Sequence, residues 1–427
     1  MANESFRAQV PRGAVTLRSE AAARRRAVDE RLLAVFREWG YEEIIPATFE
    51  YRDVLAPGME EGLAESCYTL TDRESGRLLL LRPDVTLQIA RMAGSARRGA
   101  LPLPARFCCT TSVYRYEKDP IGRHRELRQA GVELLGVSGA EGSAEAAALC
   151  VESLRRAGLK EFKVAVGQVE FFRGLFQGQK VPREIQREIR ESVSKKDDAA
   201  LDLALSRSGL PRRAAEAFRL LPGLFGKAEI LARAGKLAVT PAARTALGDL
   251  RRTADRLDAY GVLPFIVFDL GEIRGFDYYT GVLFEAFAGG VGKPIGRGGQ
   301  YDNLIARFGS PCRATGFGLD VDLLVQALGH QGLLDEYAGA DVVLVGRRSS
   351  PRESLDTARR LRQKGFRVAC DLDGQGIESA IKRAAAGNAA TVVFLKNRGG
   401  EALIVDVKTR KRRAVAVRNI EKGLRHG

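Results

Sequence analysis

The chain has 427 residues, enough for two or three domains, and 45% of them are apolar, enough for a sizeable core. With 68 Lys and Arg against 53 Asp and Glu the net charge is +15, so the surface attracts anions, though charge alone does not choose among phosphorylated metabolites, acidic partners and nucleic acid. The opening MANESFRAQVPRG carries no apolar leader and no run reaches the length of a membrane span, which argues against secreted and membrane-embedded readings and predicts a soluble, cytoplasmic protein.

Val28, Leu32, Val35, Phe36 and Trp39 recur at helical spacing, so a helix is expected over Ser19–Trp39 with Ser19 as its N-cap and Gly40 as its stop. Tyr41 to Tyr51 reads as a strand broken at Pro46, and the next segment as two strands joined by a turn at Ser75-Gly76. Ala105 to Gly136 reads as two long strands around a charged loop with Pro120 and Gly122. A helix over Ser143–Ala157 and a strand at Phe162–Gly167 follow. From 168 to 259 the chain turns rich in Ala, Leu, Arg and Glu, with breaks at Pro211, Pro222 and Pro241, and reads as an inserted helical subdomain. Strand-type sequence returns over Leu263–Ala288, then a glycine-rich turn over Gly289–Gly299 and the apolar helix LDVDLLVQAL. Beyond Gly332–Gly339, strands and helices alternate, which predicts a separate α/β domain over 340–427 with a largely parallel sheet, ending in a basic hairpin and a helix.

Cys67, Cys108, Cys109, Cys150, Cys312 and Cys370 form no CxxC pair and the three histidines lie far apart, so no metal site is expected, and most of the thiols, lying in apolar runs, read as buried and reduced. The glycine-rich GGVGKPIGRGGQYD does not match a phosphate loop and reads as a turn that allows close backbone packing. Three blocks instead pack ionisable groups into strand-like sequence: RPDVTLQIAR (Arg82 to Arg91), YRYEKDPIGRHRELRQAGVE (Tyr114 to Glu133) and IRGFDYYTGVLFE (Ile273 to Glu285). In the second, Arg115, Glu117, Arg123, Arg125, Gln129 and Glu133 alternate so as to share one sheet face, where carboxylates and guanidinium forks together suit a zwitterion. Taken alone this block reads as a solvated strand face laced with ion pairs; three such blocks shift the balance toward a site.

In order and spacing these blocks, with GRGGQYDNLI and GFGLDVDLL after them, resemble class II histidyl-tRNA synthetases over nearly the whole chain. The resemblance implies an α+β fold: a class II antiparallel sheet flanked by helices over 1–331, a helical insertion over about 168–259, an α/β domain like the anticodon-binding one over 340–427, and a homodimer. It also implies a histidine pocket in which Asp84, Thr86 and Gln129 hold the α-amino group, Arg274 the carboxylate, and Glu133 with Tyr279, beside Tyr278, the imidazole. Arg115 matches the arginine that contacts the nucleotide α-phosphate, and Glu117 and Arg123 complete that phosphate or nucleotide-like pocket.

Departures from the synthetase pattern weigh more than the matches. The Glu-Arg pair whose arginine grips the γ-phosphate of ATP is here Asp322-Leu323. A charge-assisted bond of that kind contributes roughly 1.5–3 kcal/mol, and leucine makes none. Asp84 and Val85 stand for the Glu and Gly of the R-P-E-G-T segment, and Gln300 for an arginine. These changes point to a paralogous, non-catalytic branch, the regulatory subunits of ATP phosphoribosyltransferase, which need no cofactor. Membership would give the chain a short-form catalytic subunit as hetero-oligomeric partner, activation of that partner, feedback inhibition by histidine in histidine biosynthesis, and no catalytic residue of its own. An active histidyl-tRNA synthetase and a synthetase-like tRNA-binding sensor stay open as alternatives. The basic run Lys408, Arg410, Lys411, Arg412 and Arg413 reads as a solvated edge, so no nucleic-acid partner is expected.

Overall fold

The computed structural model describes residues 10–97, 99–116, 125–273, 275, 278–335, 337, 339–346, 351–372, 376–396 and 400–425. The chain divides into two compact units, Met1–Leu334 and Asp335–Gly427.

Helix α1 (Ser19–Glu38) buries Val28, Leu32, Val35 and Phe36, the stripe its spacing predicts. Ser19 is not the cap: Arg18 holds that position without a side-chain bond, so burial of the apolar stripe rather than capping supports this start. Strand β1 (Glu42–Glu43) ends before Pro46, and β2 (Phe49–Tyr51), short helices α2 (Arg52–Leu55) and α3 (Glu61–Glu65), β3 (Thr69–Thr71) and β4 (Leu78–Leu81) follow. β2, β4 and β3 form a small three-stranded sheet.

The strand-like reading of Arg82–Arg91 is corrected at this point. Asp84 caps a helix, α4 (Val85–Ser95), its Oδ1 accepting from Thr86 N at 2.7 Å, and the run buries Leu87, Ile89, Ala90 and Ala93.

Long strands β5 (Ala105–Tyr114) and β6 (Glu126–Leu135) pair antiparallel along their whole length, then come α5 (Gly139–Arg156) and β7 (Phe162–Gln168). The insertion comprises α6 (Val169–Leu175), α7 (Arg183–Lys195), α8 (Asp198–Arg207), α9 (Arg212–Leu220), the two-residue β8 (Phe225–Gly226), α10 (Ile230–Leu237) and α11 (Pro241–Ala259). Its buried Phe171, Phe172, Phe218 and Leu250 are continuous with the main core.

Strand β9 (Ile266–Asp269) stops early. Leu270–Ile273 and Tyr278–Gly281 are irregular where strand was expected, and β10 (Val282–Ala288) begins after them. Conversely, part of the expected glycine-rich turn is an interior strand, β11 (Gly296–Gln300), paired on both sides with β10 and with β12 (Ala314–Asp320), which leads into α12 (Val321–His330).

Nine strands form one sheet, ordered β1-β5-β6-β12-β11-β10-β7-β9-β8, antiparallel except at β1–β5 and β7–β9. One face carries the main core, where Leu32 and Phe36 of α1 and Ala147, Val151 and Leu154 of α5 meet Val164, Val166, Phe284 and Phe317. The other face carries a smaller cluster in which Leu87 and Ile89 of α4 join Phe107, Cys109, Val113 and Tyr301. Strand alternation divides the adjacent thiols, Cys108 to the first cluster and Cys109 to the second. All six cysteines are free thiols.

In the second unit, β13 (Val342–Val345), α13 (Pro351–Gln363), β14 (Val368–Cys370), α14 (Ile377–Ala386), β15 (Thr391–Leu395), β16 (Glu401–Asp406), β17 (Arg412–Ala416) and α15 (Ile420–Arg425) build a sheet ordered β14-β13-β15-β16-β17. Only the β13 pairings are parallel; β15–β16 and β16–β17 are antiparallel, as strands separated by so few residues must be. Among the described residues no helix is long and apolar enough to cross a membrane, and no cluster of His, Cys, Asp or Glu could hold a metal.

Candidate functional site

A cleft of about 470 Å³ opens on the α4 side of the nine-stranded sheet. Its floor owes its depth to two glycines of β12. A Cβ on Gly316 would run into the Glu133 carboxylate and the Val132 carbonyl, and one on Gly318 into the Gln129 amide. Glu133 and Gln129, four residues apart on one face of β6, lean into the room those glycines leave.

At one end of the cleft, polar side chains converge. Asp84, Thr86, Arg115, Gln129, Tyr278 and Tyr279 all line it. Asp84 does two jobs at once: Oδ1 caps α4, while Oδ2 accepts from Arg115 Nη2 at 2.9 Å. Arg115 also donates Nε to the Pro83 carbonyl at 2.7 Å, so it is tied to the segment that precedes α4. Among the described residues the side-chain Oε1 of Gln129 is buried with no hydrogen-bond partner, an acceptor left for a donor.

Glu133 lies behind the wall rather than on it. Its carboxyl accepts from the Tyr301 hydroxyl and bonds to the Thr86 side chain. Burial pushes it well above the usual carboxylate range, Thr86 pulls it back, and the nearby Asp84 carboxylate raises it further. Tyr278 packs edge-on to Tyr279 with centroids 5.0 Å apart and tilted against Tyr301 at 5.3 Å. Burial raises both Tyr278 and Tyr279, so each keeps its hydroxyl proton to donate.

The other end of the cleft is built differently. Asp320 caps α12, accepting from Leu323 N at 2.9 Å. That places the Leu323 side chain on the cleft wall, with Pro294, Ile295 and Leu319 nearby. Asp322 points away: it accepts from Arg128 N at 3.1 Å and faces Arg25 at 3.6 Å. Arg128 in turn donates Nε to the buried Asp29 at 2.9 Å and Nη2 to Thr110 at 3.0 Å, pinning α1 to β6.

Of the expected site residues, Arg274, Glu117 and Arg123 lie outside the described residues. Others of the same blocks serve the scaffold. Arg82 donates to the Ser112 and Pro46 carbonyls, Gln88 and Arg91 to Glu50, and Gln300 bridges Gly139 N and Asp302. Tyr301, Lys293 and Arg297 line the cleft without having been singled out. The alternation of Arg297 with glycines in GRGGQ was the available signal, masked by reading that segment as a turn.

A mostly antiparallel sheet with α4 and β6 presenting these side chains above glycine-bearing strands is the architecture of the class II histidyl-tRNA synthetase fold, and residues 13–324 match the family model for histidyl-tRNA synthetase. The ATP phosphoribosyltransferase regulatory subunit of Geobacter sulfurreducens is 35% identical over 374 residues, 88% of this chain and 85% of the relative. Its counterpart from Moorella thermoacetica is 39% identical over 384 residues, 88% of this chain and 96% of the relative. The crystal structure of an ATP phosphoribosyltransferase regulatory subunit/histidyl-tRNA synthetase from Bacillus halodurans superposes with a TM-score of 0.79 at 28% identity, covering 91% of this chain and 98% of that one. The chain belongs to the family of ATP phosphoribosyltransferase regulatory subunits. By that membership it falls in histidine biosynthesis as a regulatory subunit, not as an enzyme in its own right.

Proposed function

We propose that this chain binds free histidine at the polar end of its cleft and does no chemistry on it. As a homodimer in the cytoplasm, it joins a short-form catalytic subunit of ATP phosphoribosyltransferase in a hetero-oligomer, activates it, and passes on feedback inhibition by histidine. Leu323 carries the reading. A fold that adenylates an amino acid needs a cation on the ATP triphosphate, and this position of the cleft wall is a methyl-bearing side chain. The polar end, by contrast, suits an amino acid. Asp84 and the unpartnered Gln129 Oε1 offer acceptors to an ammonium, Thr86 stands beside them, and Tyr278, Tyr279 and Tyr301, with Glu133 behind the wall, offer hydroxyl groups and rings to an imidazole. Arg274 is assigned the carboxylate, and Arg115, with Glu117 and Arg123, a phosphate-bearing group. For histidine to regulate, it must bind one state of the assembly better than the other, with a coupling of about 1–3 kcal/mol.

Mixing the purified chain with a short-form catalytic subunit tests this directly. Phosphoribosyl transfer to ATP should switch on and become histidine-sensitive. Failure to form a complex removes the proposal, and histidine-dependent exchange of pyrophosphate into ATP by the chain alone replaces it with a synthetase. Tight, salt-dependent tRNA binding without either activity would point to an RNA sensor. Arg274→Ala should weaken histidine binding in calorimetry by about tenfold or more, the loss of one charge-assisted contact.

A further inference from the structure

A second cavity, of about 340 Å³, opens farther along the same face of the nine-stranded sheet, between the sheet and the helical insertion. Alternation puts it there. On β7, β9 and β10 the residues Val164, Val166, Ile266, Phe268 and Phe284 point into the main core, so Lys163, Val267, Asp269 and Phe287 point to the opposite face, the one that carries the first cleft. The stretch Asp269–Glu272 runs on from the end of β9. It crosses the sheet at Gly167, where a Cβ would come within 2.8 Å of the Glu272 carbonyl and 2.9 Å of the Asp269 carbonyl. Asp269, Gly271 and Glu272 face the second cavity, while Tyr278 and Tyr279, farther along the chain, face the first.

Val267 and Phe287 give the second cavity an apolar floor, and Phe225 of β8 adds a ring that is 52% exposed. Two cations and two carboxylates line that surface, Lys163, whose Nζ donates to the Pro264 carbonyl at 2.8 Å, and Lys196, with Asp269 and Glu272. Asp269 is buried. Its Oδ1 accepts from Gly271 N at 2.9 Å, and its Oδ2 meets Lys196 Nζ at 3.3 Å, longer than the roughly 2.7–2.9 Å of a well-formed charged bond. The Lys196 side chain is 52% exposed and lies 5.5 Å from the Phe225 ring.

The geometry points to a binding site for a small zwitterion, a free amino acid with an apolar or aromatic side chain. A simple anion would meet the two carboxylates and a simple cation the two lysines. A zwitterion satisfies both signs: its ammonium takes the place of Lys196 at Asp269, which frees that lysine, with Lys163, for the ligand carboxylate. Its side chain covers Phe225 and Phe287. The size agrees, near the lower end of the roughly 300–1,000 Å³ range of small-molecule pockets. None of the residues lining this cavity lines the first cleft, so the inference stands whether or not histidine binds there.

Calorimetric titration of the full chain with L-leucine and with L-phenylalanine tests it. At least one should bind with a dissociation constant of about 1 mM or tighter, and 3-phenylpropionate and phenethylamine, each lacking one charge, should bind at least about tenfold more weakly than L-phenylalanine or L-leucine. Asp269→Asn keeps the acceptor for Gly271 N and should cut amino-acid affinity about tenfold or more; should that variant fail to fold, Lys163→Met at the exposed rim is expected to do the same. Gln129→Ala, in the first cleft, should leave this binding intact. No heat from either amino acid at about 10 mM, unchanged affinity in a folded Asp269→Asn or Lys163→Met protein, or binding lost in Gln129→Ala would each overturn the assignment.

Discussion

The two ends of the first cleft share one sheet and offer opposite surfaces. At the α4 end, Asp84, Thr86, Gln129, Tyr278 and Tyr279 project hydrogen-bonding groups over a backbone floor. At the α12 end, Leu323, Pro294 and Leu319 line the wall, and the acidic neighbour Asp322 is turned into the scaffold. Scaffold and binding surface are thus separable within one helix turn: Asp320 and Asp322 still fix α12, while the residue between cap and core that faces the cleft has no charge to give. One scaffold can therefore present hydrogen-bonding groups at one end of a cleft and an aliphatic side chain at the other without any change in the helix caps that hold it.

Arg128→Ala should have the largest effect, because it strips the partner from the buried Asp29 and unpins α1 from β6. The expected loss of unfolding free energy is about 3–5 kcal/mol, read from urea titrations. If histidine still binds the folded fraction with unchanged affinity, the two ends are energetically independent. Leu323→Arg sharpens the contrast from the other side: a guanidinium at this position should tighten ATP binding by about 1.5–3 kcal/mol, measured calorimetrically. Unaltered ATP affinity would show that more than one residue separates the two ends.

Asp84 allows capping to be divided from binding. Asp84→Ala should cost about 1 kcal/mol of stability through the lost N-cap, and Asp84→Asn only a few tenths, yet both should weaken histidine binding. Ala binding as well as the native residue would move the ammonium site elsewhere. Glu133 gives the most specific effect, one read from its pH dependence. Burial holds its carboxyl above the ordinary 4.5, so the fold favours the protonated form. Stability from this group is therefore complete below about pH 4.5 and is lost as pH rises through the folded value. Glu133→Gln, which keeps an acceptor for Tyr301, should gain stability relative to the native chain as pH rises, and a pH-independent difference would contradict that burial.

Periodicity disclosed most of the scaffold. The apolar stripe of α1, the β5–β6 pair and the strand–helix alternation of the second unit follow from spacing, because burial on one face leaves a period in the sequence. What it concealed lies where one residue type serves two ends. RPDVTLQIAR is β-rich in composition, but Asp84 as cap turns it into α4. GRGGQ reads as a turn because its glycines lack side chains, although in an interior strand that lack makes room for neighbours. The Arg115–Asp84 pair and the Tyr301–Glu133 bond join residues far apart in the chain, and no local pattern announces them.

The bare backbone of β12 beneath the cleft carries one more consequence. At Gly316 and Gly318 nothing can be taken away, and every replacement brings in at least a methyl group where Glu133 or Gln129 already sits. The recess is thus vulnerable to addition alone. One extra carbon on the strand would push Glu133 or Gln129 from its place while changing no charge of the chain.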